Sequence, residues 1–266
     1  MSRIASIQHA TQLDTTVTGI PSFELSSLEL PGNLDVELPN NLRLGHLAEK
    51  VFSTLVKAST NYQILAENIQ IGEGSKTIGE LDFILQKKDT REVTHVELAY
   101  KFYLFDPSLS DDPVHCWIGP NRNDSLIEKL SKLKGKQFPL LHDSAASSHI
   151  QNILGHVDMQ HVSQALCLLA SLYVPFGYEA SFGESERKAI KGFYLGIEKA
   201  KSIDSPLKTY YLPTKKEWGM EPAEHSLWNT FEDIEPTITE RLSERRAVMV
   251  WQKEQDAYSS FFVVWW

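Results

Sequence analysis

The sequence predicts an α/β protein with a central mixed sheet, its elements ordered helix, three strands, helix, strand, followed by a C-terminal α+β extension. Three observations carry this. Residues 42–58 repeat apolar side chains at helical spacing. Residues 77–86 and 93–105 alternate apolar and polar positions on either side of a short polar reversal, the period-two signature of strands. ALCLLASLYVPFG (165–177) is apolar nearly throughout and stops at proline and glycine, as a buried strand does.

Taken in order, residues 1–40 are polar, carry Pro21, Pro31 and Pro39, and read as an extended or partly helical lead-in. In 42–58, Leu44, Leu47, Ala48, Val51, Phe52, Leu55 and Val56 form one apolar stripe, with Glu49 on its flank. NIQI (68–71) makes a short strand and GEGSK (72–76) a turn. That turn lacks the spacing of a phosphate loop and leads into a strand, so a nucleotide-binding loop is rejected. After the strand at 93–105 comes the Pro/Asp-rich loop DPSLSDDP (106–113). Asn123, Asp124 or Ser125 can cap a helix running to about Gly135. Leu126, Ile127, Leu130 and Leu133 form its buried side, and Lys129, Lys132 and Lys136 line an adjacent flank. Residues 143–164 carry His149, His156 and His161; His149 and His156 can share a helix face, but no third ligand follows at a diagnostic spacing, and they read as scattered surface histidines. Beyond 178, residues 185–201 look helical, and RAVMVWQ and YSSFFVVWW look like a terminal pair of strands. The expected division is a lead-in (1–40), a core (41–177) and an extension (178–266) packing on that core.

Composition narrows the setting. No apolar run approaches the roughly 18 residues that span a bilayer, and the first residues lack the apolar segment of a signal peptide. Cys116 and Cys167 form no CxxC pair, which fits a reducing cytoplasm. The expected location is cytoplasmic, with no membrane. The net charge of −9 repels nucleic acid, so any binding of DNA or RNA needs a local basic patch. Arg122, Lys129, Lys132, Lys134 and Lys136 against Asp124 and Glu128 give such a stretch a balance of +3.

Function is most legible in the two strands. Asp82 lies seven residues before Asp89, and Glu97 seven after Thr90. A reversal at Asp89-Thr90 sets the two carboxylates directly opposite each other. Opposed like charges on a sheet are destabilising unless a cation lies between them. Leu81, Phe83 and Leu85 on one strand and Val96, Leu98, Phe102 and Leu104 on the other share the core side. The same register puts Asp82, Glu97 and Lys101 together on the other side. The expectation is a divalent-metal site; the plainer alternative is an exposed amphipathic hairpin.

An αβββαβ order with Asp on the second strand and Glu and Lys on the third resembles the PD-(D/E)XK nucleases, whose fold is restriction-endonuclease-like. GELDF (79–83), VELAYKFYL (96–104), WIGPNRNDSLIEKL (117–130) with Gln137, and LPTKKEWGMEP (212–222) more closely resemble an uncharacterised bacterial family, the domain of unknown function DUF1853, associated with this nuclease fold. The pattern departs from the superfamily twice. Leu81 stands where the motif has proline, and Ala99 where it has lysine. Lys101 shares the face of Glu97, displaced from the usual lysine position by about 6–7 Å at a rise of about 3.3 Å per residue.

What the resemblance implies is a Mg2+- or Mn2+-dependent phosphodiesterase acting on DNA or RNA. Asp82 and Glu97 would ligate the metal, and Lys101 would orient the attacking water or neutralise charge. Glu49 would reach the metal through water, Gln137 and Lys129 would touch phosphate, and Lys132 and Lys136 would extend the nucleic-acid surface. The rival expectation is a catalytically inactive module of the same fold that binds nucleic acid or a protein partner.

Overall fold

The computed structural model describes residues 2–32, 34, 38–39, 41–73, 76–143, 150–155, 157–179, 181–222 and 227–266. His149, His156 and the middle of the GEGSK turn lie outside the described residues. The lead-in is partly helical, as expected. Helices α1 (Arg3–Gln8) and α2 (Thr15–Thr18) flank strand β1 (Gln12–Leu13). Ser2 and Asp14 cap the two helices by accepting the backbone N–H groups of Ala5 and Thr16.

Helix α3 (Leu44–Ala58) buries the whole apolar stripe seen in the sequence. The N–H of Ser59 closes its last turn onto the carbonyls of Leu55 and Val56. The Phe52 ring lies 4.7 Å from that of Phe83 and meets Phe23 edge-on at 5.8 Å. Aromatic contact of this kind adds to the large area that each ring buries.

Next come strands β2 (Tyr62–Glu73), β3 (Lys76–Lys87), β4 (Val93–Phe105) and β5 (Trp117–Ile118). Helix α4 (Leu126–Lys132) then passes through a π turn (Leu133–Gln137) into α5 (Phe138–Leu140). Strands β6 (Ser163–Pro175), β7 (Ile190–Gly196), β8 (Lys208–Tyr211), β9 (Val248–Glu254) and β10 (Ala257–Val264) follow. The protein is a mixed α/β structure whose ten-stranded sheet runs β2-β3-β4-β6-β7-β10-β9-β8, with β1 on β6 and β5 on β4. The terminal strand pair is present, β9 and β10 being antiparallel.

Segment 185–201 differs from its expected helix. It is a helix (Glu184–Ala189), then β7, then a second helix (Ile197–Ser202). The run from Ile190 to Leu195 is rich in β-branched and aromatic residues and lies between parallel neighbours β6 and β10. Gly192 allows the close approach, since a Cβ there would stand 1.9 Å from the Ser260 carbonyl oxygen. Tertiary pairing overrides helical periodicity here.

The chain forms two compact units. One comprises Gln12–Tyr100 and Glu128–Leu169, with a core that includes Ile69, Leu81, Ile84, Leu141 and Ile150. The other comprises Met1–Thr11, Lys101–Ile127 and Ala170–Trp266, with Tyr210, Phe231, Ile238, Val250 and Phe261 at its centre. Among the described residues no helix is long and apolar enough to cross a membrane.

Candidate functional site

The β3–β4 ladder has the register implied by a reversal at Asp89-Thr90. Gln86 faces Val93, Leu85 faces Thr94, Ile84 faces His95, and Phe83 faces Val96. Arg91 completes the reversal at φ 63°. The pairing stops at Phe83, so the next rung, Asp82 opposite Glu97, is open. Asp82 bridges the gap with its side chain, Oδ2 accepting the N–H of Leu98 at 2.9 Å. On the other side, pairing steps from Glu67–Phe83 to Ile69–Leu81, and Asn68 between them sits at φ 55°. Among the described residues Asp82 therefore has no ladder partner in either neighbouring strand, although it lies well inside β3.

The polar face of β4 is not an exposed surface. His95 and Glu97 are both 0% exposed. Every strong contact of Glu97 is therefore internal. One oxygen, Oε1, lies 3.0 Å from His95 Nε2, and the other, Oε2, accepts from Gln137 Nε2 at 2.5 Å. Gln137 Oε1 in turn lies 3.4 Å from Lys129 Nζ. Beyond His95, Gln164 Nε2 stands 3.3 Å from Nδ1 and donates to the Phe138 carbonyl at 2.7 Å. The row Lys129–Gln137–Glu97–His95–Gln164 thus links α4, the π turn, β4 and β6.

The π turn is what aligns the first part of that row. Residues eight apart lie about 80° from each other around an ideal α-helix. One extra residue in the turn brings Lys129 and Gln137 back toward one face. The N–H of Phe138 reaches the carbonyl of Leu133, five residues back. Pro139, having no N–H, cannot continue an ordinary i to i+4 ladder through this point.

Charge at the site is unbalanced. Burial, and then the charge of Glu97, push the Asp82 carboxyl up to about 7. The Leu98 N–H and the Lys129 ammonium pull it back down, and Glu49 adds to the rise. Glu80 is also raised, by burial and by Glu49. Glu49 sits on α3 with His46 Nδ1 3.1 Å from its carboxylate. Beside it is an open cavity of about 280 Å3, whose lining includes His46, Glu49, Lys50, Ser53, Glu67 and Asn68. Asp82, Glu97, Glu80 and Glu49 therefore influence one another electrostatically, with Lys129 as an opposing charge.

Other expected residues are placed differently. Lys101 Nζ is 2.7 Å from Asp124 Oδ2, within the other compact unit. Gly119 admits Asp124 to this position, since a Cβ on it would stand 2.0 Å from Asp124 Oδ1. Lys132 and Lys136 are exposed, while Lys129 is half-buried. His95, Gln164 and Glu80 were assigned no role from the sequence. The one signal available for the first and last was their place on the same strand faces as Glu97 and Asp82.

The donors fit a hard divalent cation. Mg2+ takes oxygen ligands and is held by one or two carboxylates while keeping several waters. Asp82 and Glu97 supply two carboxylates, and each Glu97 oxygen keeps a lone pair beyond its hydrogen bond. Among the described residues no three or more His, Cys, Asp or Glu converge as a full metal cage, so the fit is to a water-rich ion rather than to an enclosed structural metal.

Residues 3–261 match a domain of unknown function, DUF1853. The chain belongs to the DUF1853 family. No curated protein and no solved structure matches it. In this DUF1853 chain the open rung and the groups around it form the candidate site.

Proposed function

We propose that this DUF1853 protein is a Mg2+-dependent phosphodiesterase of restriction-endonuclease-like fold that cleaves DNA or RNA in the cytoplasm. The succession α3, β2, β3, β4, α4, β6, with the short β5 and α5 interposed, supports the fold reading, and two buried free thiols, Cys116 and Cys167, accord with the location. The observation that carries the function is the open rung of Asp82 and Glu97, where the charge of Glu97 acts on Asp82 and, among the described residues, neither carboxylate is in a direct ion pair with lysine or arginine.

In this reading Asp82 and Glu97 hold the cation, which when bound polarises a phosphate and lowers the pKa of a water. The Leu98 N–H and the Gln137 amide keep the two carboxylates oriented. Lys129 adds positive charge to the same neighbourhood and can meet a phosphate oxygen. Glu49, across from Asp82 on α3, orders water on that side. Lys132 and Lys136 contribute to backbone binding of the nucleic acid. Lys101, two residues beyond the motif lysine position held by Ala99, is the proposed counterpart of that lysine, with the role of orienting water or neutralising charge.

One observation favours a second reading, a catalytically inactive module that binds nucleic acid or a protein: the ammonium of Lys101 is engaged by Asp124 at 2.7 Å. A cleavage assay decides between them. Purified wild type, Asp82→Ala and Lys101→Met are incubated with labelled single- and double-stranded DNA and RNA, with Mg2+ or Mn2+. Cleavage that needs the metal and disappears in Asp82→Ala is the expected result. A folded wild type that cleaves none of these substrates overturns the enzyme reading.

A further inference from the structure

The Glu97 carboxylate is approached by two nitrogen atoms, and the chemistry of the second shell determines what one of them carries. Gln164 is the starting point. Its Nε2 lies 2.7 Å from the Phe138 carbonyl oxygen, a pure acceptor, which requires the NH2 end of the amide to point that way. The same nitrogen lies 3.3 Å from His95 Nδ1. Its second hydrogen is thus directed at Nδ1, which must accept and is therefore bare. In the neutral ring the proton then sits on Nε2 and is donated to Glu97 Oε1 at 3.0 Å. Phe138 also fixes the ring plane, packing edge-on with its centroid 5.5 Å away.

We propose that His95 and Gln164 are positioning residues for Glu97: Gln164 holds the Nε2–H tautomer of His95, and that N–H aims the carboxylate toward Asp82 for a divalent cation. This rests on the cation-site reading of Asp82 and Glu97. Nothing else in the reading needs His95, and an apolar strand residue would fill the same space. A buried imidazole with both nitrogens engaged is what a ligand-orienting role requires. Outer groups of this kind typically change metal affinity about 10–100-fold when removed.

The test is Mn2+ binding by titration calorimetry to wild type, His95→Phe, His95→Gln and Gln164→Met, together with the 15N spectrum of the His95 ring in metal-free wild type. The ring should show its proton on Nε2. His95→Phe should bind Mn2+ at least about tenfold more weakly. His95→Gln keeps an N–H donor near the Nε2 position and should recover most of the affinity. Gln164→Met should weaken binding and let the ring proton spread to Nδ1, a change that simple loss of packing would not produce.

If His95→Phe fails to fold, the Gln164→Met affinity and the wild-type ring spectrum decide alone. A ring protonated on Nδ1 in wild type, or variants that bind Mn2+ as wild type does, overturns the positioning roles while the cation site stands. Wild type that binds no Mn2+ overturns the cation site and the positioning roles together.

Discussion

Asp82 Oδ2 accepts the backbone N–H of Leu98 at 2.9 Å, just past the last rung on which β3 and β4 pair. A side chain there stands in for a main-chain partner. The contact holds the Asp82 carboxylate beside Glu97, in spite of the charge they share. A site with this character should show itself through pH, through stability and through binding.

The clearest pH effect comes from Asp82. Its folded pKa is raised from 3.8 to about 7, so between those values the folded state binds more protons than the unfolded state. Stability from this group is present at low pH and is lost as pH rises toward 7. The loss amounts to at most about 4 kcal/mol, taking 1.36 kcal/mol per pKa unit. Asp82→Asn keeps an oxygen for Leu98 and removes the titration. Urea denaturation at pH 5 and pH 8, without metal, should show a smaller loss on raising the pH for the variant than for wild type.

The packing that places α3 over β3 should be sensitive to Phe52. Its ring is fully buried and lies 4.7 Å from Phe83. Phe52→Ala removes the ring and leaves a cavity, which costs about 3–5 kcal/mol. Chemical denaturation should read that loss, and Glu49, three residues earlier on the same helix, should lose its alignment with it.

Lys101 and Asp124 are an ion pair near the surface, with side chains 33% and 45% exposed. Solvent screening keeps such pairs weak. A double-mutant cycle with Lys101→Met and Asp124→Asn should give a coupling of about 0.2–1 kcal/mol. A far larger coupling would mean that the lysine is committed to structure and cannot be released to substrate.

Lys132 and Lys136 are exposed on the basic stretch. If they meet phosphates, Lys132→Gln and Lys136→Gln should each weaken nucleic-acid binding at low salt and reduce the salt slope by about one, at little cost to stability. Binding measured by fluorescence anisotropy across a salt series checks this.

Much of the site-bearing region was legible in the sequence because its signals are local. The stripe of α3 is a 3.6-residue pattern, and the β3–β4 register follows from alternation together with a polar reversal of known position. The same logic located the β9–β10 hairpin. The failures are where distant contacts decide. Segment 190–196 satisfies both helical and strand patterns, and only its slot between β6 and β10, with Gly192 against the Ser260 carbonyl, selects the strand.

The candidate site divides the same way. Asp82 and Glu97 could be paired by counting from the turn. Burial of the polar face of β4 could not, because it depends on Gln164, Phe138 and Gln137 arriving from elsewhere in the chain. The π turn that carries Gln137 toward Glu97 leaves only Pro139 as a trace in sequence. The partner of Lys101, Asp124, could not be read from the sequence, because it lies in a loop whose shape depends on Gly119.

The central claim is that Asp82 and Glu97 together bind a divalent cation. The most direct test is the thermal unfolding midpoint of wild type and Asp82→Asn at pH 8, each with and without Mn2+. Binding to the folded state alone stabilises by about 2.7 kcal/mol at a hundredfold excess over Kd. A midpoint that rises with Mn2+ in wild type and stays fixed in Asp82→Asn is the predicted result. Equal shifts in both proteins, or none in wild type, would contradict it.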